Sequence, residues 1–341
     1  MARLPQGTAT LTSAKNGLRP EVIFGSSEEM QRIRRTVERV SEIRVPVLLE
    51  GESGTGKEIL ANYLHKVSPW NEFPQLKVNC AAIPGALLES ELFGYEKGSF
   101  TGAYASRPGK FEQADSGTVV LDEIADIDSG LQAKLLQVLQ DGCFSRLGDL
   151  EERSVDVRII CITNRRIDAE IQRGAFREDL YYRINVVNIQ VPPLRQRLED
   201  LPVLVDYFLH IYGERYERKV QPLPATVMDR FREHQWPGNI RELENYLKRY
   251  VILDTTDAIL GELEERTKGP MIGGFQLPPV HDFSLKKFSK MASQQAEHYL
   301  ILEALKNTRW NRKRAAELLG VSYRALLYKI KEAGLPQKKR A

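Results

Sequence analysis

Three short runs of the sequence carry side chains able to work on a phosphate. Gly51-Glu52-Ser53-Gly54-Thr55-Gly56-Lys57 has G-x-x-x-x-G-K spacing. Glycines at this spacing let backbone N–H groups close around phosphate oxygens, and Lys57 can reach the β- and γ-phosphates. Asp122 and Glu123 end the apolar run TVVLDE at 118–123. There Asp122 suits a magnesium ligand and Glu123 a base that polarises the attacking water. Thr163 and Asn164 close CITN at 161–164, where they can sense a γ-phosphate or place water. Position 58 holds Glu58 where Ser or Thr usually touches the metal, which leaves Mg2+ dependent on Asp122 and water. Each run alone has an ordinary explanation, such as a glycine turn beside a lysine or acids at an exposed strand end. Together they predict a site that hydrolyses ATP with Mg2+.

A fourth run, GYEKGSFTGA at 94–103, has neither a nucleophile nor a general base. Its glycines at 94, 98 and 102 surround one large apolar residue, Phe100. Glycine of this density lets a loop project and move, and the small neighbours Ser99 and Ala103 give Phe100 no core to enter. The expectation is a loop tip that offers Phe100 to another molecule, with Thr101 shaping the tip.

These residues need elements to position them. VPVLLEG (45–51), LKVNC (76–80), GTVVLDEI (117–124), VRIICITN (157–164) and INVVNIQV (184–191) read as near-continuous apolar strands. That pattern belongs to a parallel sheet covered on both faces by helices, an α/β class. Strand signals fade after residue 197, and 198–260 reads as helices, with apolar spacing of three and four in NIRELENYLKRYVIL. Gly and Pro in KGPMIGGFQLPPV mark a linker over 262–284, and 285–335 form a small helical unit.

Composition is that of an ordinary globular protein, 42% hydrophobic and 28% charged, with a net charge of +3. No run is long and apolar enough for a membrane span, and no secretory signal is present, so a cytoplasmic protein with no membrane partner is expected. The three cysteines, Cys80, Cys143 and Cys161, are far apart and lack histidines at ligand spacing, which predicts free thiols and no zinc site. Charge is uneven: from Lys306 onward eleven Lys or Arg face two acids, an excess of nine, leaving −6 for the remainder. A basic end on a mildly acidic body points to a polyanion partner, although a solvated tail has the same charge.

The run from about 22 to 260 resembles the AAA+ domain of bacterial enhancer-binding proteins, the activators of sigma-54 RNA polymerase. GESGTGKE matches that family's Walker A, including Glu58. GYEKGSFTGA resembles its GAFTGA loop, with Ser99 where Ala is usual. FREDLYYRINV (176–186) resembles its arginine-finger segment, and WPGNIRELEN (236–245) its sensor II helix. The resemblance implies an AAA+ P-loop ATPase with a parallel sheet and a helical lid. It implies that Gly98 to Ala103, including Gly102, contact sigma-54. Arg177 and Arg183 would act on a neighbouring subunit's ATP, which requires a dimer-to-hexamer assembly; outside this motif they read as ion pairs with Glu178 and Asp179. Arg241 would touch phosphate in cis, and Asn79 would restrain the catalytic glutamate. GCFSRLGDLEERSVDVR (142–158) resembles the hairpin that buttresses the loop.

NRKRAAELLGVSYRALLYKIKEAGL (311–335) reads as two helices around a tight turn at Gly320, with Ser322 capping the second. Ala315 and Ala316 allow close approach, and Leu318 and Leu319 supply packing. Tyr323 and Arg324 stand where helix-turn-helix proteins address bases, Lys329 and Lys331 are better placed for phosphates, and Arg312 and Tyr328 are further candidate DNA contacts. The segment resembles the Fis-type helix-turn-helix, and the helix 292–308 suits dimer packing. The expected organisation is a tail (1–21), an α/β subdomain (22–195), a helical lid (196–261), a linker (262–284) and an all-α DNA-binding domain (285–341). The partners implied are upstream DNA, sigma-54 and RNA polymerase. No receiver-like domain precedes the ATPase, which leaves either a separate regulatory protein or a removed regulatory domain. The alternative function is a nucleotide-tuned DNA-binding regulator that acts without sigma-54.

Overall fold

The computed structural model of the protein describes residues 20–255 without a break, residues 310–332, and isolated positions between them. The chain divides into two compact units, Met1–Asp254 and Thr255–Ala341. In the first, a five-stranded parallel sheet comprises β1 (Val47–Glu50), β2 (Gln75–Asn79), β3 (Thr118–Asp122), β4 (Arg158–Thr163) and β5 (Val187–Gln190). Its spatial order is β2-β3-β4-β1-β5. Each coincides with a run expected from the sequence, β2 beginning one residue earlier at Gln75; the three central strands are buried on both faces, while the edge strands β2 and β5 leave polar residues such as Lys77 and Gln190 toward water.

Successive strand residues serve opposite faces. Leu48, Val119, Leu121, Ile159 and Cys161 join one core with Phe93 and Phe111 and with Leu131 and Leu135 of helix Ser129–Asp141. Val47, Leu49, Val120, Ile160 and Ile162 join the other, against helices Glu28–Ser41 and Lys57–Lys66. Because the strands are parallel, every carboxyl end meets one edge of the sheet. Asn79 pairs in register with Asp122, and Glu50 with Thr163.

Beyond β5 the chain is helical: Leu201–Arg215, Ala225–Glu233 and Asn239–Leu253. Trp236 is fully buried at their centre, with its indole N–H donated to the Phe231 carbonyl at 2.8 Å. None of the described helices is long and apolar enough to cross a membrane. The cysteines are free; Cys80 and Cys161 are buried.

In the second unit, helices Arg312–Leu318 and Tyr323–Glu332 pack through Ala315, Ala316, Leu326 and Ile330 onto Ile301, Ala304 and Leu305. Ser322 Oγ accepts from the Ala325 N–H at 3.2 Å, the cap expected of it. Leu318 departs from expectation: it is 63% exposed, and Leu319 alone of the pair rests on the core, because the helix turns 318 outward. Most of the segment expected to link the units lies outside the described residues; Met271–Ile272 and Phe275–Gln276 within it pair as a short antiparallel ribbon.

Candidate active site

The glycine-rich loop 51–56 leaves β1 and enters helix Lys57–Lys66 at the carboxyl edge of the sheet. Lys57 is buried, and its ammonium donates to the carbonyls of Gly51 at 2.7 Å and Glu52 at 2.9 Å. Burial lowers its pKa, while Glu123 and Asp122 pull the other way. Thr55 Oγ1 donates to the Glu52 carbonyl at 2.9 Å, which holds the loop's bend. The lid reaches this loop directly. A β-carbon on Gly54 would stand 2.5 Å from the Gly238 carbonyl, so only glycine fits at φ +79°.

Asp122 and Glu123 end β3 beside this loop. The Glu123 backbone is left-handed, at φ +55°, and Glu123 Oε2 accepts from the Asn164 N–H at 3.1 Å. Asn164 therefore holds the glutamate through its main chain. Thr163 Oγ1 accepts from the Arg165 N–H at 3.0 Å and so shapes a turn. Asn79 Oδ1 accepts from Ala81 and Ala82 N–H at 3.1 and 3.2 Å. In this arrangement Asn79 caps the turn after β2, and its described hydrogen bonds do not reach Glu123. Glu58 points to Lys77 Nζ, 2.9 Å away, and the same Nζ lies 2.9 Å from Asp122 Oδ2.

Several lid residues seal the loop. Asn239, fully buried at φ +52°, donates to Glu52 Oε2 at 3.1 Å and the Ser53 carbonyl at 3.0 Å, and accepts from the Leu194 N–H at 2.8 Å. Arg241 donates to Ser53 Oγ at 2.9 Å, Arg195 grips Glu52 at 2.5 and 2.8 Å, and Arg197 donates to the Thr55 carbonyl at 2.6 Å. Beside Thr55 and Gly56 runs an apolar groove lined by Ile23, Met30, Ile59, Tyr207 and Phe208. Sequence reasoning missed Lys77, Asn239 and this groove. Lys77 had a signal, a lone cation in an apolar strand two residues before Asn79. The groove had none, since its walls come from three distant segments.

The expected arginine fingers stand elsewhere. Arg177 is paired with Asp179 at 2.6 and 2.9 Å, and Arg183 Nε donates to the Leu139 carbonyl at 2.9 Å. Arg183 shares a cleft with Pro46 and Val157, which precede β1 and β4, so it lies toward the amino ends of the strands. Within one chain it is on the far side of the sheet from the glycine-rich loop.

The run 94–103 interrupts the path from β2 to β3. Helix Gly85–Phe93 ends in it, and its tip turns back through Gly98 N–H to the Ala103 carbonyl at 2.9 Å. Phe100 is 40% exposed and sets its ring edge-on to Tyr95, with centroids 5.0 Å apart. The tip is therefore less bare than the sequence suggested. Ser99 Oγ is buried without a hydrogen-bond partner, against Gly148 of the neighbouring hairpin. That hairpin, Cys143–Ser145 paired with Glu152–Ser154, exchanges main-chain bonds with the loop: Glu96 N–H to the Leu147 carbonyl, and Leu147 N–H to the Gly94 carbonyl, both 3.0 Å. Arg146 ties Glu96 at 2.8 Å to Glu112 at 2.6 and 2.7 Å.

In the C-terminal unit Tyr323 and Tyr328 are 44% and 70% exposed, and Arg324 is exposed. Arg312 is half-buried, and Lys329 is paired with Glu297.

Comparison with known proteins matches residues 23–190 to the sigma-54 interaction domain, 195–266 to an AAA+ ATPase lid domain, and 294–332 to the Fis family of bacterial regulatory proteins. The regulatory protein AtoC of Escherichia coli K12 is 42% identical over 316 residues, covering 92% of this chain and 68% of AtoC. The chain belongs to the sigma-54-dependent transcriptional regulators. This regulator is also 41% identical to the Nif-specific regulatory protein of Azotobacter vinelandii, across 93% of its own length and 60% of that protein's. NtrX from Brucella abortus, solved in complex with ADP, superposes with a TM-score of 0.67 at 33% identity, over 91% of this chain and 69% of that one. Hsp104 of S. cerevisiae, in its complex with casein, shares the fold alone, at 18% identity and a TM-score of 0.51 over 72% of this chain and 47% of that one. The regulator is thus an AAA+ ATPase with a Fis-type helix-turn-helix.

Proposed function

We propose that this regulator binds upstream DNA, assembles into a ring and uses ATP hydrolysis to remodel closed complexes of sigma-54 RNA polymerase into open ones. The observation that carries the reading is the placement of the Phe100 loop. It is inserted between Asn79 and Asp122, two residues of the catalytic edge, and braced by its own hairpin. A rearrangement at the phosphates then has a short covalent route to the tip, through the turn at Asn79 and helix Gly85–Phe93.

ATP is the substrate. The loop 51–56 cradles its phosphates, Lys57 neutralises the β- and γ-oxygens, and the apolar groove at Ile23, Tyr207 and Phe208 takes the flat base. The donors present suit magnesium: Asp122 is a carboxylate at the end of β3, and hard cations take oxygen ligands. When bound, Mg2+ neutralises phosphate charge. Glu123, aligned by the Asn164 N–H, accepts the proton of the attacking water, and Arg241 contacts phosphate from the lid. Arg177 and Arg183 complete the site of a neighbouring subunit by stabilising transition-state charge, which is why a ring, and in this family a hexamer, is required.

Dimers of the 285–341 domain place Tyr323 and Arg324 at base edges, with Arg312, Ser322 and Tyr328 toward the backbone. The test is open-complex formation on a sigma-54 promoter with ATP, comparing the parent with Phe100→Ala. The expected result is opening by the parent alone while both hydrolyse ATP. Hydrolysis without opening by the parent would transfer the assignment to a nucleotide-tuned regulator that acts without sigma-54.

A further inference from the structure

We infer that Lys77 is a positioning residue that sets how strongly the catalytic edge takes its metal. The inference rests on the nucleotide and magnesium reading above. Lys77 lies in β2, two residues before Asn79, and its ammonium is 2.9 Å from both Glu58 Oε2 and Asp122 Oδ2. It joins the first turn of the helix that follows the glycine-rich loop to the end of β3.

Charge explains why a cation is needed here. Glu58 stands where a neutral hydroxyl is usual, so Glu58, Asp122 and Glu123 bring three carboxylates to a site meant for a triphosphate. A single ammonium shared by Glu58 and Asp122 leaves that pair at a net charge of −1 instead of −2. The Lys77 ammonium lies within hydrogen-bond distance of a carboxylate oxygen of each acid, so one cation is shared between them. Its side chain is 34% exposed, which leaves room to swing between the two acids without unpacking the strand. Lys77 thereby restrains Asp122 in the nucleotide-free protein and keeps Glu58 from repelling the phosphates.

Opposite changes of charge at this pair have opposite expected effects. Lys77→Met leaves Glu58 and Asp122 uncompensated. Metal-free nucleotide affinity should then fall about tenfold, and the Mg2+ concentration at half-maximal nucleotide binding should fall by a similar factor, a scale set by one unit charge nearby in a half-screened site. Glu58→Gln leaves Lys77 to Asp122 alone, so the Mg2+ midpoint should rise and metal-free affinity should increase. Lys77→Arg keeps the charge and should stay near the parent.

The experiment is a titration of a fluorescent ATP analogue into the full chain, with EDTA and across a Mg2+ series, alongside thermal unfolding of each variant. Midpoints for Lys77→Met and Glu58→Gln that move in opposite directions, with melting temperatures near the parent's, support the assignment. Midpoints that stay within twofold of a parent that binds the analogue overturn it for Lys77 alone. A parent that binds no analogue overturns the nucleotide reading, and this inference with it.

Discussion

At the scale of single residues, the Phe100 loop contains one polar group out of place. Ser99 Oγ is buried against the hairpin with no partner, where a methyl group would be at no disadvantage. A buried hydroxyl without a hydrogen bond forfeits its hydration for nothing in return. Ser99→Ala should therefore stabilise the protein by about 1 kcal/mol, seen as a higher melting temperature in thermal unfolding. An unchanged or lower melting temperature would mean that the hydroxyl finds a water partner. Asn239 is the opposite case, since each of its polar atoms is used and its φ of +52° suits asparagine better than most residues. Asn239→Ala should cost about 2–3 kcal/mol by stranding the Leu194 N–H and the Ser53 carbonyl. Asn239→Gly should cost about 1 kcal/mol less, because glycine accepts the backbone angle. Equal losses in chemical denaturation would show that the strain argument is wrong.

At the scale of elements, the loop is held to its hairpin by charge. Arg146 donates to Glu112 at 2.6 and 2.7 Å and to Glu96 at 2.8 Å. Burial would raise the Glu112 pKa, yet the bonds from Arg146 prevail and the carboxyl titrates below its ordinary value. A carboxyl depressed on folding contributes stability that is fully present above its unfolded pKa of about 4.3 and is lost as pH falls through the folded value. Arg146→Met should cost about 1–2 kcal/mol at pH 7, allowing for solvent screening of this partly open pair. The gap between parent and variant should close as the pH drops below about 4. Denaturant unfolding across a pH series measures this; a gap independent of pH would assign the loss to packing of the arginine stem.

At the scale of the whole molecule, the chain's own fold keeps Arg183 away from its own phosphate loop. Arg183 lines a cleft with residues that precede β1 and β4, whereas the loop follows β1. If Arg183 serves a neighbour, Lys57→Ala and Arg183→Ala should each abolish ATP hydrolysis alone and recover part of it when mixed. Mixed rings contain interfaces where an intact loop meets an intact arginine. A steady-state ATPase assay of the mixture, over a range of total concentrations, tests this. No recovery at any mixing ratio would place the action of Arg183 within its own chain.

The sequence by itself determined the five parallel strands, the phosphate loop, the acidic pair and the basic helical end. Each is a local pattern: short runs rich in apolar and β-branched residues, glycines at the spacing a phosphate needs, and charge gathered in one stretch. Ala315, Ala316 and the Ser322 cap were legible in the same way, while Leu318 was not, because a pair of adjacent leucines does not say which one a helix will turn outward. Only the tertiary structure decided that Lys77 would stand between Glu58 and Asp122, that Asn239 would seal the loop from the lid, and that the walls of the apolar groove would come together. Those contacts join residues from separate elements, and their partners are chosen by strand order and helix packing, which a linear pattern does not contain. The same holds for Phe100. Its glycines announced a projecting loop, but its contact with Tyr95 and the brace from Arg146 depend on a hairpin that packs beside the loop only once the sheet has formed.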